Sequence, residues 1–165
     1  MNKKQSVLAK KIILLLFSSF CLISSAEAKI VTIGGESEVS SFLSDYYKED
    51  VEPYTGQVLD SDFVYVNVGQ INSNSIDNVV KVLIVDNKLT ILDLTQIANE
   101  DERKEISKNL TGVGMFSPYI VSGQVDDEPV INAILSEEGE FLDQTEKERL
   151  ISSFIFVLNR FGFKG

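Results

Sequence analysis

Val79-Val-Lys-Val-Leu-Ile-Val-Asp-Asn-Lys-Leu-Thr-Ile-Leu-Asp-Leu94 is the stretch on which the fold turns. Val79 to Val85 is β-branched and apolar, Leu89 to Leu94 is a second apolar run, and Asp86-Asn87-Lys88 supplies turn chemistry between them. Two such runs around a short Asp/Asn turn predict a β-hairpin. Further strands are expected on both sides. Phe63-Val-Tyr-Val-Asn-Val68 alternates apolar and mixed residues. Met115 to Val121 is interrupted by Pro118, which suits a strand start or an edge. Pro129 to Leu135 follows after the acidic turn Asp126-Asp-Glu128.

Three helices are expected beside these strands. Val39, Phe42, Leu43, Tyr46, Tyr47 and Val51 recur at helical spacing, with Ser37 to cap the start and Pro53 to mark the stop. The double tyrosine reads as the wet edge of that stripe. Asn99 caps an acidic-then-basic segment that Gly112 ends, a surface helix matched to its own dipole. Thr145-Glu-Lys-Glu148 forms a capping box for a helix over 145–160 that is apolar on most of its circumference. The fold class implied is α+β: one domain, a mostly antiparallel sheet packed by the first and last helices. The strand–helix–strand opening and Pro118 before a late strand also resemble a thioredoxin-like arrangement, here without any redox dithiol.

The N-terminal segment has its own signature. Lys3, Lys4, Lys10 and Lys11 precede an apolar run from Ile12 to Ile23, and Ala26-Glu-Ala28 closes it with small residues. This order marks a cleavable secretory signal over 1–28, cut between Ala28 and Lys29. The run falls short of the roughly 20 residues that span a bilayer, so an uncleaved inner-membrane anchor is the alternative. The working domain is then 29–165, and no stable membrane span is expected after cleavage. Cleavage takes four lysines and Glu27 from the chain's 15 basic and 25 acidic residues, leaving 11 and 24. A domain this acidic has no general electrostatic pull on nucleic acid or anionic lipid.

Two absences narrow the chemistry. The chain has no histidine, and its single cysteine, Cys21, lies in the signal. Zinc sites of the usual kind and Ser–His–Asp or Cys–His nucleophiles cannot be built. The carboxylate clusters at Asp60/Asp62, Asp126–Glu128 and Glu137/Glu138/Glu140 lie in polar turns and match neither a glycosidase pair nor a calcium loop. Gly34-Gly35-Glu36-Ser37 lacks phosphate-loop spacing and reads as a tight turn plus helix cap. No catalytic, metal or cofactor residue is therefore assigned. Phe116, Tyr119, Phe154, Phe156 and Phe161 are the candidate partner-binding residues, because aromatics supply contact area at low entropy cost.

The function implied is a non-enzymatic accessory protein of the periplasm of a Gram-negative bacterium that binds a protein partner. That partner would be a membrane-bound regulator or a component of a fimbrial, pilus or other surface system. The layout is similar to that of small periplasmic partners of virulence-gene activators and of pilus systems. A small-molecule or lipid-binding module and an enzyme independent of His and Cys are the alternatives.

Overall fold

The computed structural model describes residues 28–71, 74–135 and 144–163. Strand β1 (Lys29–Ile33) leads through two glycines into α1 (Glu38–Tyr47) and a short β2 (Asp50–Pro53). Strand β3 (Phe63–Asn67) continues through a 3-10 turn at Val68–Gln70 into α2 (Asn74–Val85) and β4 (Thr90–Asp93). Helix α3 (Glu100–Thr111), the pair β5 (Tyr119–Val125) and β6 (Glu128–Ile134), and α4 (Gln144–Arg160) complete the chain order. The six strands form one sheet in the order β2-β1-β3-β4-β5-β6.

The α+β class and the single domain stand, but the sheet is not mostly antiparallel. β2, β1, β3 and β4 run parallel, and only the β4–β5 and β5–β6 pairings are antiparallel. The stretch 79–94 explains the difference. Val79 to Val85 is the second half of α2 rather than a hairpin strand. Val80 and Leu83 are buried while Val82 and Val85 are 57% and 76% exposed, a helical stripe and not an alternating one. Tertiary packing overrides the modest helix propensity of β-branched residues. Asp86-Asn87-Lys88 ends the helix: Asn87 is left-handed at φ 57°, and the Lys88 N–H donates to the Leu83 carbonyl at 2.9 Å, a Schellman-type closure. A helix between β3 and β4 returns the chain to the same end of the sheet, so the strands must pair parallel.

Both faces of the sheet are covered. On one, Ile30, Phe63, Tyr65, Ile91 and Val121 pack with Leu43 and Tyr47 of α1 and with Leu150, Phe154 and Leu158 of α4. On the other, Val64, Val66, Leu92 and Ile120 pack with Val80 and Leu83 of α2 and Leu110 of α3. Every residue of β3 is consequently buried, as a central parallel strand requires. Helix α4 begins at Gln144, so Thr145 stands inside its first turn, and its apolar circumference resolves into a buried stripe with Phe156 left 73% exposed. Tyr47 is core rather than wet edge; its ring meets Phe163 edge-on at 4.8 Å. Residues 1–27 of the expected 1–28 signal lie outside the described residues, and Lys29, the residue after the expected cut, is the first of β1.

Gly34 makes a tight turn after β1. Its φ is +82°, and a Cβ there would stand 2.4 Å from the Asn67 carbonyl oxygen. Gly34→Ala is expected to cost about 2 kcal/mol or more, combining left-handed strain with a backbone clash. A urea titration showing an unchanged midpoint and slope would contradict this packing.

Candidate functional site

Open parallel sheets place ligands beyond the carboxyl ends of their strands, where successive connections leave to opposite faces. Here that point lies between β1, whose helix α1 covers one face, and β3, whose helix α2 covers the other. Gly34 closely approaches the Asn67 carbonyl there, leaving no room for a side chain at that position.

Beside it runs a chain of hydrogen bonds, of which the Tyr65–Asp93 bond is fully buried. Ser37 caps α1, accepting from the Ser40 N–H at 3.2 Å while the Ser40 hydroxyl accepts from the Ser37 N–H at 2.8 Å. The Ser37 hydroxyl donates to Tyr65 Oη at 2.8 Å, and Tyr65 donates to Asp93 Oδ2 at 2.5 Å. Asp93 Oδ1 accepts from the Thr95 N–H at 3.0 Å and from the Thr95 hydroxyl at 2.6 Å. Tyr65 and Asp93 are buried, and Tyr119 lies beside them on the same face. Burial first, then the Asp93 charge and its hydrogen bond, holds the Tyr65 phenol well above its ordinary range. Burial and the charges of Asp93 and Glu38 do the same to Tyr119. Both phenols stay protonated near neutral pH, and Tyr65 uses its proton to donate to Asp93. The arrangement ties the N-terminus of α1 to β3 and β4. Sequence reasoning missed it, although a lone aspartate inside the apolar run Ile91-Leu-Asp-Leu94 was a visible signal.

The carboxylate clusters separate. Asp62 is buried and accepts the backbone N–H groups of Lys29 and Leu59 at 3.1 and 2.8 Å, a turn-forming role. Asp60 points outward and pairs with Lys88, whose hydrogen bond and charge lower its pKa. Asp126 and Asp127 form the β5–β6 turn, both with positive φ. Glu137, Glu138 and Glu140 lie outside the described residues. Among the described residues no group of three or more acidic, His or Cys side chains is placed to hold a metal.

The aromatic candidates also separate. Phe154 is fully buried against Tyr119, ring centroids 5.1 Å apart, so both are packing residues. Phe161 folds over Gly123, whose missing side chain leaves the room it occupies. Phe116 is half-exposed in the loop beside α3, with the Lys104 ammonium 4.9 Å from its ring centre. Phe156 projects from α4, on the opposite face of the sheet. The five do not converge on one surface.

Tyr47 carries a pH-dependent contribution. Its hydroxyl is buried with no hydrogen-bond partner among the described residues, and burial, aided by Tyr46, pushes its pKa up to about 12. A raised folded-state pKa gives stability that is complete below the ordinary phenol value of about 10 and is lost as pH climbs toward 12. The Tm is therefore expected to hold from neutrality to about pH 9 and to fall above about pH 10. Tyr47→Phe should flatten part of that fall; identical alkaline limbs for variant and parent would refute the assignment.

No family model matches the chain, and no solved structure matches it. It is 32% identical to the cytolysin secretion protein of Vibrio vulnificus (strain CMCP6) over 170 residues, covering 99% of this chain and 98% of that protein. The chain belongs to the cytolysin secretion protein family. The likeness to that cytolysin secretion protein runs the length of both chains, so it concerns the whole architecture rather than one motif. No helix among the described residues is long and apolar enough to cross a membrane.

Proposed function

We propose that this chain is a non-enzymatic accessory protein of secretion, which meets an exported client protein in the periplasm of a Gram-negative bacterium after its N-terminal segment is removed. The end-to-end likeness to a cytolysin secretion protein carries this reading, and it names a cytolysin-like toxin as the client. A binding role also accords with a histidine-free chain whose single cysteine lies at position 21, and with a buried polar chain that holds its phenolic protons. This reading takes a secreted client as the partner in place of the membrane-bound regulator or pilus component expected from the sequence.

The test is a deletion strain compared by mass spectrometry of culture medium and periplasm. At least one secreted protein should fall about tenfold in the medium and be restored by the gene in trans. The purified domain from Lys29 onward should capture that same protein from periplasmic extract. An unchanged extracellular profile in the deletion strain would end the reading.

A further inference from the structure

The two edges of the sheet are unlike. β2 has only four residues, with Asp50, Glu52 and Pro53 among them, and Glu52 is paired to Lys29 at 2.7 Å. Charge, brevity and proline are the ordinary means of blunting an edge against further pairing. β6 is seven residues long, and from Val130 to its end at Ile134 it reads Val-Ile-Asn-Ala-Ile, without a charge. Leu135, just past its end, is 80% exposed.

The direction of its backbone groups follows from the turn. Asp126 and Asp127 are both left-handed, at φ 52° and 64°, a two-residue hairpin turn of the primed type. Val125 and Glu128 flank it and form a hydrogen-bonded pair, and pairs alternate from there along the register. Val130, Asn132 and Ile134 thus face β5 with their backbone groups. The Ser117 hydroxyl, which donates to the Ile134 carbonyl at 2.7 Å from the β5 side, agrees with that alternation. Pro129, Ile131 and Ala133 turn their backbone groups outward. The only proline of the strand sits where an N–H would have met no partner in the sheet. Among the described residues nothing bonds the outward N–H groups of Ile131 and Ala133.

Charge names the occupant. The neutral edge is flanked in sequence by Asp126, Asp127 and Glu128 on one side and by Glu137, Glu138 and Glu140 on the other, and no lysine or arginine occurs between Lys108 and Lys147. A second copy of so acidic a region is repelled; an extended segment with basic ends is drawn in. We propose that the outer edge of β6 receives an extended segment of the exported client, uncharged in its middle and basic at its ends, as a seventh strand of the sheet. This rests on the secretion reading above and specifies how the client is held.

The probe is a short peptide of alternating valine and threonine with paired lysines at both ends, added to the domain from Lys29 onward and followed by amide hydrogen exchange. The peptide should slow exchange at Ile131 and Ala133 by about tenfold or more while leaving Val130 and Asn132 as protected as before. Replacing the lysines by glutamates should weaken binding by about tenfold. Ala133→Pro removes one outward N–H and should likewise weaken the lysine peptide by about tenfold with circular dichroism unchanged. Should that variant fail to fold, Ala133→Lys at the same exposed position is expected to block docking by placing a charge on the edge. Undiminished binding by a folded variant, protection confined to other strands, or protection of Ile131 and Ala133 that rises with protein concentration alone would each overturn the proposal, the last in favour of a second copy. Secretion separates the two readings. If deletion stops export of the client but Ala133→Lys does not, the edge is refuted and the secretion role survives. If deletion leaves export unchanged, the secretion role itself falls.

Discussion

Phe154→Ala is expected to lower the unfolding free energy by about 4 kcal/mol, which for a domain of this size is a fall in Tm of roughly 12 °C or more. Phe154 has no exposed surface and sits at the centre of the layer between α4 and the sheet, edge-on to Tyr119 at 5.1 Å. Truncation removes its transfer free energy and leaves a void that Leu150 and Leu158, one turn away on either side, cannot fill without moving the helix. Phe154→Leu keeps most of the volume and should cost about half as much. Equal and small losses for both would mean that α4 is not docked through this side chain. Differential scanning calorimetry on the domain from Lys29 onward decides the matter.

Asp93→Ala is the second large effect, expected at about 3 kcal/mol. The carboxylate accepts three hydrogen bonds, from the Tyr65 hydroxyl and from the backbone and side chain of Thr95. Its removal leaves the Tyr65 hydroxyl, which still accepts from Ser37, with no acceptor for its own proton in a fully buried setting, where an unmet donor costs about 1–3 kcal/mol by itself. The double variant Tyr65→Phe/Asp93→Ala should therefore be less destabilised than the sum of the two single changes, by about 1 kcal/mol or more. Strict additivity in urea titrations would mean that the pair is not coupled.

Much of this architecture was legible in the chain. The buried part of the α1 stripe (Val39, Leu43 and Tyr47), its Ser37 cap, the Asn99 cap of α3 and most of the expected strand Phe63–Val68 follow from spacing and composition; Val51 and Pro53, expected as the last of that stripe and its stop, lie instead in β2. The stretch 79–94 misled because valine-rich runs of seven residues satisfy strand propensity, while Ile76, Val79, Val80 and Leu83 also satisfy helical spacing. Asp86-Asn87-Lys88 suits a hairpin turn and a helix stop equally, since both need a left-handed residue. That one ambiguity converts a parallel crossover into an antiparallel pair and so alters the pairing of half the sheet. The hairpin that does exist, β5–β6, was divided at the right acidic turn, but β5 starts only after Pro118.

The candidate aromatics were less legible. Phe154 and Phe156 are two positions apart on one helix, yet one is fully buried and the other 73% exposed. Composition flags both alike; only the angle at which α4 meets the sheet separates them. Edge status is hidden from sequence for the same reason. Nothing in Val130 to Leu135 announces that β6 is the last strand, because strand order is set by pairing between distant segments.

The layer that covers Ile30 and Phe63 is assembled from segments far apart in the chain. α1 supplies one half and α4 the other, joined across 109 residues by the Lys147–Glu38 contact, and Phe163 closes the seam against Tyr47 and Phe63. During synthesis, β1 and α1 emerge first and wait with one apolar face bare until α4 follows. The domain thus carries its own delay: it stays threadable for as long as its early strands lack their lid. Under the export proposed above, that interval would keep the chain pliant until the membrane lies behind it.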